Sequence, residues 1–137
     1  MIYITRRERF SAAHKLYRDD WDLAKNEEIF GKCSNPNWHG HNYELFVTVK
    51  GDIDPKTGFV IDLRLLKELI QIHVIRKLDH RNVNLDVDFM QGKMASTEVL
   101  AVEIYNQLKN PIEATGALLH SIKLQETENN SVEYFGN

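Results

Sequence analysis

The chain has 137 residues, 42% hydrophobic and 27% charged, a composition that suits one soluble globular domain with its own core. A formal net charge of −3 gives no overall pull toward nucleic acid or an anionic membrane, so neither is expected as a partner. One cysteine excludes an intrachain disulfide and fits a reducing, cytoplasmic setting. The opening MIYITRRERF lacks the apolar run of a signal peptide, and no window reaches the roughly 20 apolar residues of a membrane helix. No repeat, low-complexity tract or linker divides the sequence, so residues 1–137 are expected to form a single domain.

Residues 2–14 read as a strand, with Ile2, Ile4, Phe10, Ala12 and His14 in one phase that Arg6 and Glu8 interrupt. Residues 15–38 are turn-rich, with one helical turn expected near Glu27–Phe30. Residues 41–50 are the clearest strand. Tyr43, Leu45, Val47 and Val49 alternate with Asn42, Glu44, Phe46 and Thr48, and His39 and His41 continue the Tyr43 phase. Gly51–Gly58 is turn chemistry, and Phe59–Ile61 reads as a short return strand.

Asp62 is a candidate N-cap for a helix through about Leu78, with Leu63, Leu66, Ile70 and Val74 as its apolar stripe. Asp79–Asp88 reads as a polar loop. Ser96 or Thr97 caps a second helix to about Lys109, with Leu100, Ile104 and Leu108 inward and Pro111 beyond its end. In residues 117–126, Leu118, His120, Ile122, Leu124 and Glu126 share one phase. Asn129–Asn130 suits a hairpin turn before a last strand, Val132–Phe135. The order strand, strand, helix, helix, strand, strand predicts an α+β fold: a four-stranded antiparallel sheet with two helices on one face. Such a sheet leaves two open edges, so pairing between subunits into a closed barrel, and hence an oligomer, is expected.

Three histidines stand out. His39 and His41, two residues apart on a strand, present both imidazoles to one face, and His14 closes a strand in its own inward phase. Core-facing imidazoles need partners, and three neutral rings around a divalent metal with a vacant position is the pattern of a catalytic zinc site. Cys33 lies in the loop Gly31–Asn37. It is a small buried hydrophobe, a fourth ligand of a closed structural zinc site, or a thiolate base beside a metal. Asp79–His80 follows a helix. It is a solvated pair steadied by the helix dipole, or a carboxylate orienting an imidazole that exchanges protons with the thiol. His73 and His120 are assigned to packing. Glu126 ends a buried-phase run. It frays into solvent, or it binds a guanidine-like edge in bidentate fashion, such as that of a 2-amino-4-oxo-pterin.

With these residues marked, the sequence closely resembles the 6-pyruvoyl-tetrahydropterin synthase family, nearly end to end. The resemblance is carried by FSAAHKLY around His14, FGKCSNPNWHGHNY, VTVKGDIDPKTG, LDHRN around His80, STE at 96–98 and LQETENN around Glu126. It implies zinc ligands at His14, His39 and His41, a catalytic thiol at Cys33, a proton-relay pair at Asp79 and His80, and a pterin-anchoring carboxylate at Glu126. Thr97 and Glu98 fall on a segment that helps hold the pterin. The implied fold is the T-fold: ββααββ subunits forming trimeric barrels, stacked into a homohexamer with active sites at subunit interfaces. The implied reaction converts 7,8-dihydroneopterin triphosphate to 6-pyruvoyl-tetrahydropterin with loss of triphosphate. Two alternatives stand beside it: the 6-carboxy-tetrahydropterin synthase of queuosine biosynthesis, and a non-catalytic pterin-binding T-fold oligomer with structural zinc. The five residues between Cys33 and His39 favour the pyruvoyl type. Trp38 departs from the pattern, because a small residue is expected before the histidine pair.

Overall fold

In the computed structural model, which describes residues 1–137, two 13-residue strands form the centre of the sheet: β1 (Ile2–His14) and β2 (His39–Gly51). They pair antiparallel along their whole length, from Ile2 opposite Gly51 to His14 opposite His39. Between them lie α1 (Leu23–Phe30) and a 3₁₀ turn (Gly31–Ser34). Next come α2 (Leu63–Ile70), a π-helical stretch (Gln71–Ile75) and α3 (Arg76–Leu78), which run on without a break. A two-residue strand β3 (Arg81–Asn82) and a 3₁₀ turn (Asp88–Met90) lead to α4 (Thr97–Glu113). The last elements are the hairpin strands β4 (Leu118–Thr127) and β5 (Asn130–Tyr134). The sheet order is β3-β1-β2-β4-β5.

The alternating phase read from β2 is the buried one: Tyr43, Leu45, Val47 and Val49 are fully buried. They pack beneath Leu66, Ile70, Val74 and Leu78 from the α2–α3 run and Leu100, Ile104, Leu108 and Ile112 from α4. Each such residue contributes about 1.5–3 kcal/mol by leaving water, so this layer between sheet and helices is the main source of stability. The other sheet face is polar, with Glu44 near both Arg7 (3.8 Å) and Arg9 (3.3 Å). Asp62 caps α2 by accepting from Arg64 N at 2.9 Å, and Ser96 caps α4 by accepting from Val99 N at 3.2 Å. No helix is long and apolar enough to cross a membrane.

The structure corrects several expectations. The sheet has five strands and is mixed, because β3 lies parallel to Ala12–Ala13 of β1, in place of a plain loop. His80 N donates to Ser11 O at 2.7 Å and Val83 N to Ala13 O at 2.8 Å, so the segment after α3 is laid along the β1 edge by backbone bonding that leaves no signature in the residue types. A third helical unit, α1, replaces the single turn near Glu27–Phe30. Its one buried residue, Asn26, accepts from Arg18 N and donates to the carbonyls of Arg18, Trp21 and Asp22. Phe59–Ile61 forms no strand; Phe59 O instead accepts from Asp54 N at 2.9 Å within the turn.

Leu63 is 57% exposed and drops out of the apolar stripe of its helix, standing in the first turn beyond the layer. Pro111 lies inside α4 rather than after it. A proline that late removes one intrahelical bond, and burial of Ile112 in the next position offsets the loss. In β4 the register shifts opposite Thr48 and Val49, so Leu119 is buried and Leu118 is 45% exposed. The bulge reverses the phase of the residues on either side of it, which is why the period-two reading holds only from Ile122 onward. His120 packs edge-on against Tyr3 and Phe135.

Candidate active site

The end of the β1–β2 ladder builds the site. His14 and His39 are directly opposite in register, and His41 follows two residues on with its ring on the same face. The ring centroids stand 4.5 Å (His14–His39), 5.1 Å (His14–His41) and 4.9 Å (His39–His41) apart. One ligand-capable atom from each residue lies within 4.8 Å of the others. His14 Nε2, His39 Nδ1 and His41 Nε2 are all buried without a hydrogen-bond partner. In His14 the other nitrogen, Nδ1, is 2.7 Å from Ala95 O and donates to it, which leaves the lone pair on Nε2.

Burial is the main cause holding all three imidazoles below the ordinary histidine pKa. The Ala95 carbonyl opposes it at His14, and the Glu126 carboxylate opposes it at all three. Neutral, buried, convergent and unpartnered nitrogens are the donor set that a divalent metal with a preference for imidazole takes.

Glu126 faces inward from β4, with its side chain 26% exposed. Thr97, the first residue of α4, donates its hydroxyl to Glu126 Oε2. Glu126 Oε1 is 3.1 Å from His41 Nε2, a close approach that does not meet hydrogen-bond geometry. Cys33 is half-buried in the 3₁₀ turn. Its carbonyl accepts from Leu16 N at 2.7 Å, which folds the loop back over the end of β1. His14, Cys33, Thr97, Glu98 and Glu126 line one cavity of about 310 Å³. Cys33 stands outside the converging trio of imidazoles.

Asp79 and His80 lie elsewhere. Asp79 Oδ1 accepts from Ser11 N at 2.9 Å, and its Oδ2 is 3.0 Å from His80 Nδ1. The Ser11 amide is the main cause holding the Asp79 carboxyl below the usual range. His80 takes φ +60°, an uncommon conformation for any residue but glycine, and its ring is 83% exposed. It borders a second cleft, of about 500 Å³, with Ser11, Asn42 and Arg81. Neither Asp79 nor His80 lines the cavity that holds Cys33, although His80 shares its cleft with His41.

Two features of the site escaped sequence reasoning. Tyr43 is fully buried with its hydroxyl unpartnered, its ring 5.6 Å from that of His41 and 6.2 Å from that of His14. Burial raises its pKa far above the ordinary phenol value. Its place in the His39–His41 phase was the available signal. The Ala95 carbonyl that orients His14 had none, because a backbone oxygen is the same in every residue.

The family described as 6-pyruvoyl tetrahydropterin synthase matches residues 3–137. A relative from Pongo abelii, named 6-pyruvoyl tetrahydrobiopterin synthase, is 43% identical over 133 residues, covering 97% of this chain and 90% of its own. The solved structure of the Caenorhabditis elegans 6-pyruvoyl tetrahydropterin synthase superposes with a TM-score of 0.92 at 36% identity, covering 99% of this chain and 96% of that one. A 6-carboxy-5,6,7,8-tetrahydropterin synthase from Bacillus subtilis is 33% identical over 102 residues, covering 72% of this chain and 60% of its own.

Proposed function

The chain belongs to the 6-pyruvoyl tetrahydropterin synthase family, and we propose that it is a zinc-dependent lyase that converts 7,8-dihydroneopterin triphosphate to 6-pyruvoyl-tetrahydropterin and releases triphosphate. The observation that carries this reading is the convergence of three neutral, unpartnered imidazoles beside a cavity that also holds a thiol and a hydrogen-bonded carboxylate. His14, His39 and His41 would hold the metal. Zinc bound there would supply a Lewis acid that acidifies the C–H bonds of the substrate next to its C1′ and C2′ hydroxyls.

Glu126 accepts the paired N–H donors of the pyrimidine edge, with Thr97 fixing its carboxylate and Glu98 flanking it, and so sets which carbon of the pterin substituent faces Cys33. Cys33 acts as the base that removes the proton from that carbon, a role typically worth about 10²–10⁴ in rate. His80, held by Asp79, passes protons to and from the reacting carbons. The placement of His80 and Cys33 in different cavities of one subunit supports a composite site in which a neighbouring subunit brings the relay pair. The outer edge of β5, and that of β1 beyond its short pairing with β3, support the same arrangement, trimeric barrels stacked as a hexamer.

The pyruvoyl product is favoured by the near-complete coverage of relatives bearing that name and by the Cys33–His39 spacing. A closed structural zinc site is disfavoured by the position of Cys33 outside the imidazole trio. Mass spectrometry of the product formed from 7,8-dihydroneopterin triphosphate by the zinc-loaded protein tests the proposal. Release of a two-carbon aldehyde with a 6-carboxy pterin would replace it with the queuosine-type activity, and no conversion would sink both.

A further inference from the structure

Lys15 and Trp38 flank the His14–His39 pair, and they meet in a contact that the proposed reaction leaves unused. Trp38 adopts φ +67°, a left-handed conformation that a bulky residue rarely takes and that glycine takes freely. Its ring lies 4.5 Å from Lys15 Nζ, and the Tyr17 ring lies 5.0 Å from the same atom. The Lys15 backbone is clamped as well: its N–H donates to Asn84 Oδ1, and Asn84 Nδ2 donates to its carbonyl, both at 3.1 Å. Asn84 is held in turn by its own N–H, which donates to Asn82 Oδ1 at 3.0 Å.

Lys15 makes no ion pair with any carboxylate of the protein. Aromatic faces orient an ammonium without cancelling its charge. The result is a half-buried cation, fixed at its backbone and at its tip, one residue from a candidate metal ligand and lacking a counter-ion. That is a site for an anionic group brought by a ligand.

We propose that Lys15 takes the phosphate chain of the substrate, and that Trp38 is a positioning residue that keeps its strained backbone because its ring holds Lys15 in place. This rests on the pterin-triphosphate reading above and deepens it. A merely structural Trp38 makes a different prediction, since Trp38→Gly relieves the backbone and leaves phosphate recognition alone.

The test compares binding of 7,8-dihydroneopterin triphosphate and of 7,8-dihydroneopterin by calorimetry. It uses the zinc-loaded protein carrying Cys33→Ala, so that substrate persists, with and without Lys15→Met, Trp38→Gly and the pair. Lys15→Met is expected to weaken the triphosphate about ten- to hundredfold and leave dihydroneopterin unchanged. Trp38→Gly is expected to weaken the triphosphate about three- to tenfold with no loss of thermal stability, and the pair to be no weaker than Lys15→Met alone. Equal losses for both ligands, no loss with Lys15→Met, or additive losses in the pair would each overturn the proposal alone. Binding of neither pterin by the parent would overturn the pterin reading and this proposal together.

Discussion

His41 Nε2 and Glu126 Oε1 stand 3.1 Å apart, so a candidate metal ligand and the candidate pterin anchor meet in one contact. A metal held by His41 would compete with Glu126 for that nitrogen and would leave the carboxylate free for the pyrimidine edge. Metal and pterin binding are therefore expected to reinforce one another, and by linkage each raises the affinity of the other by the same factor. We expect about a tenfold gain in pterin affinity on zinc loading, and near loss of that gain in Glu126→Gln. Equal affinity of the metal-free and zinc-loaded protein for dihydroneopterin would refute the coupling.

Acid should act on the three histidines with a definite sign. Burial holds each below the ordinary value of about 6.5, so the unfolded protein binds more protons than the folded one just below that value. The metal-free protein is accordingly expected to keep its full stability above about pH 6.5 and to lose it as pH falls through the lowered folded-state values. Zinc affinity should fall in the same direction, because protons and metal compete for the same nitrogens. Denaturant melts and zinc titrations at about pH 7.5 and 5.5, on either side of the ordinary imidazole value, check both. A flat profile in each would contradict the buried neutral state.

Cys33→Ala should lower turnover about 10²–10⁴-fold while zinc content and pterin affinity persist. Zinc loss in that variant, measured by elemental analysis, would instead make the thiol a ligand. Unchanged turnover would remove it from the chemistry.

The proposed sharing of the site between subunits is tested by complementation. Mixed oligomers reassembled from Cys33→Ala and His80→Ala subunits should regain activity that neither variant shows alone, because some interfaces then pair an intact thiol with an intact relay. Mixtures as inactive as their parents would place both residues in the same subunit's reaction path.

Tyr43 offers a stability prediction. Its hydroxyl is buried without a partner, and an unsatisfied buried polar group costs about 1–3 kcal/mol. Tyr43→Phe in the metal-free protein should be neutral or more stable by about 1 kcal/mol. Destabilisation in urea melts would mean that the hydroxyl has a partner in solution.

Much of this protein was legible in the sequence itself, for local reasons. The two-residue period of Tyr43–Val49 set the buried face, and because His39, His41 and His14 fall in the inward phases of their strands, the imidazole trio followed from strand alternation alone. Asp62 and Ser96 announced the helix starts through oxygens that accept from the first turn. Only the tertiary structure decided where alternation breaks, since the β4 bulge depends on how β2 pairs with it and not on the composition of residues 118–121. It also decided that Asp79 is anchored on the Ser11 amide, with His80 lining a different cavity from Cys33, and that the Ala95 carbonyl selects the His14 tautomer. Those outcomes depend on backbone groups distant in sequence, which are chemically alike at every residue and gain meaning only when folding brings one against a particular functional group.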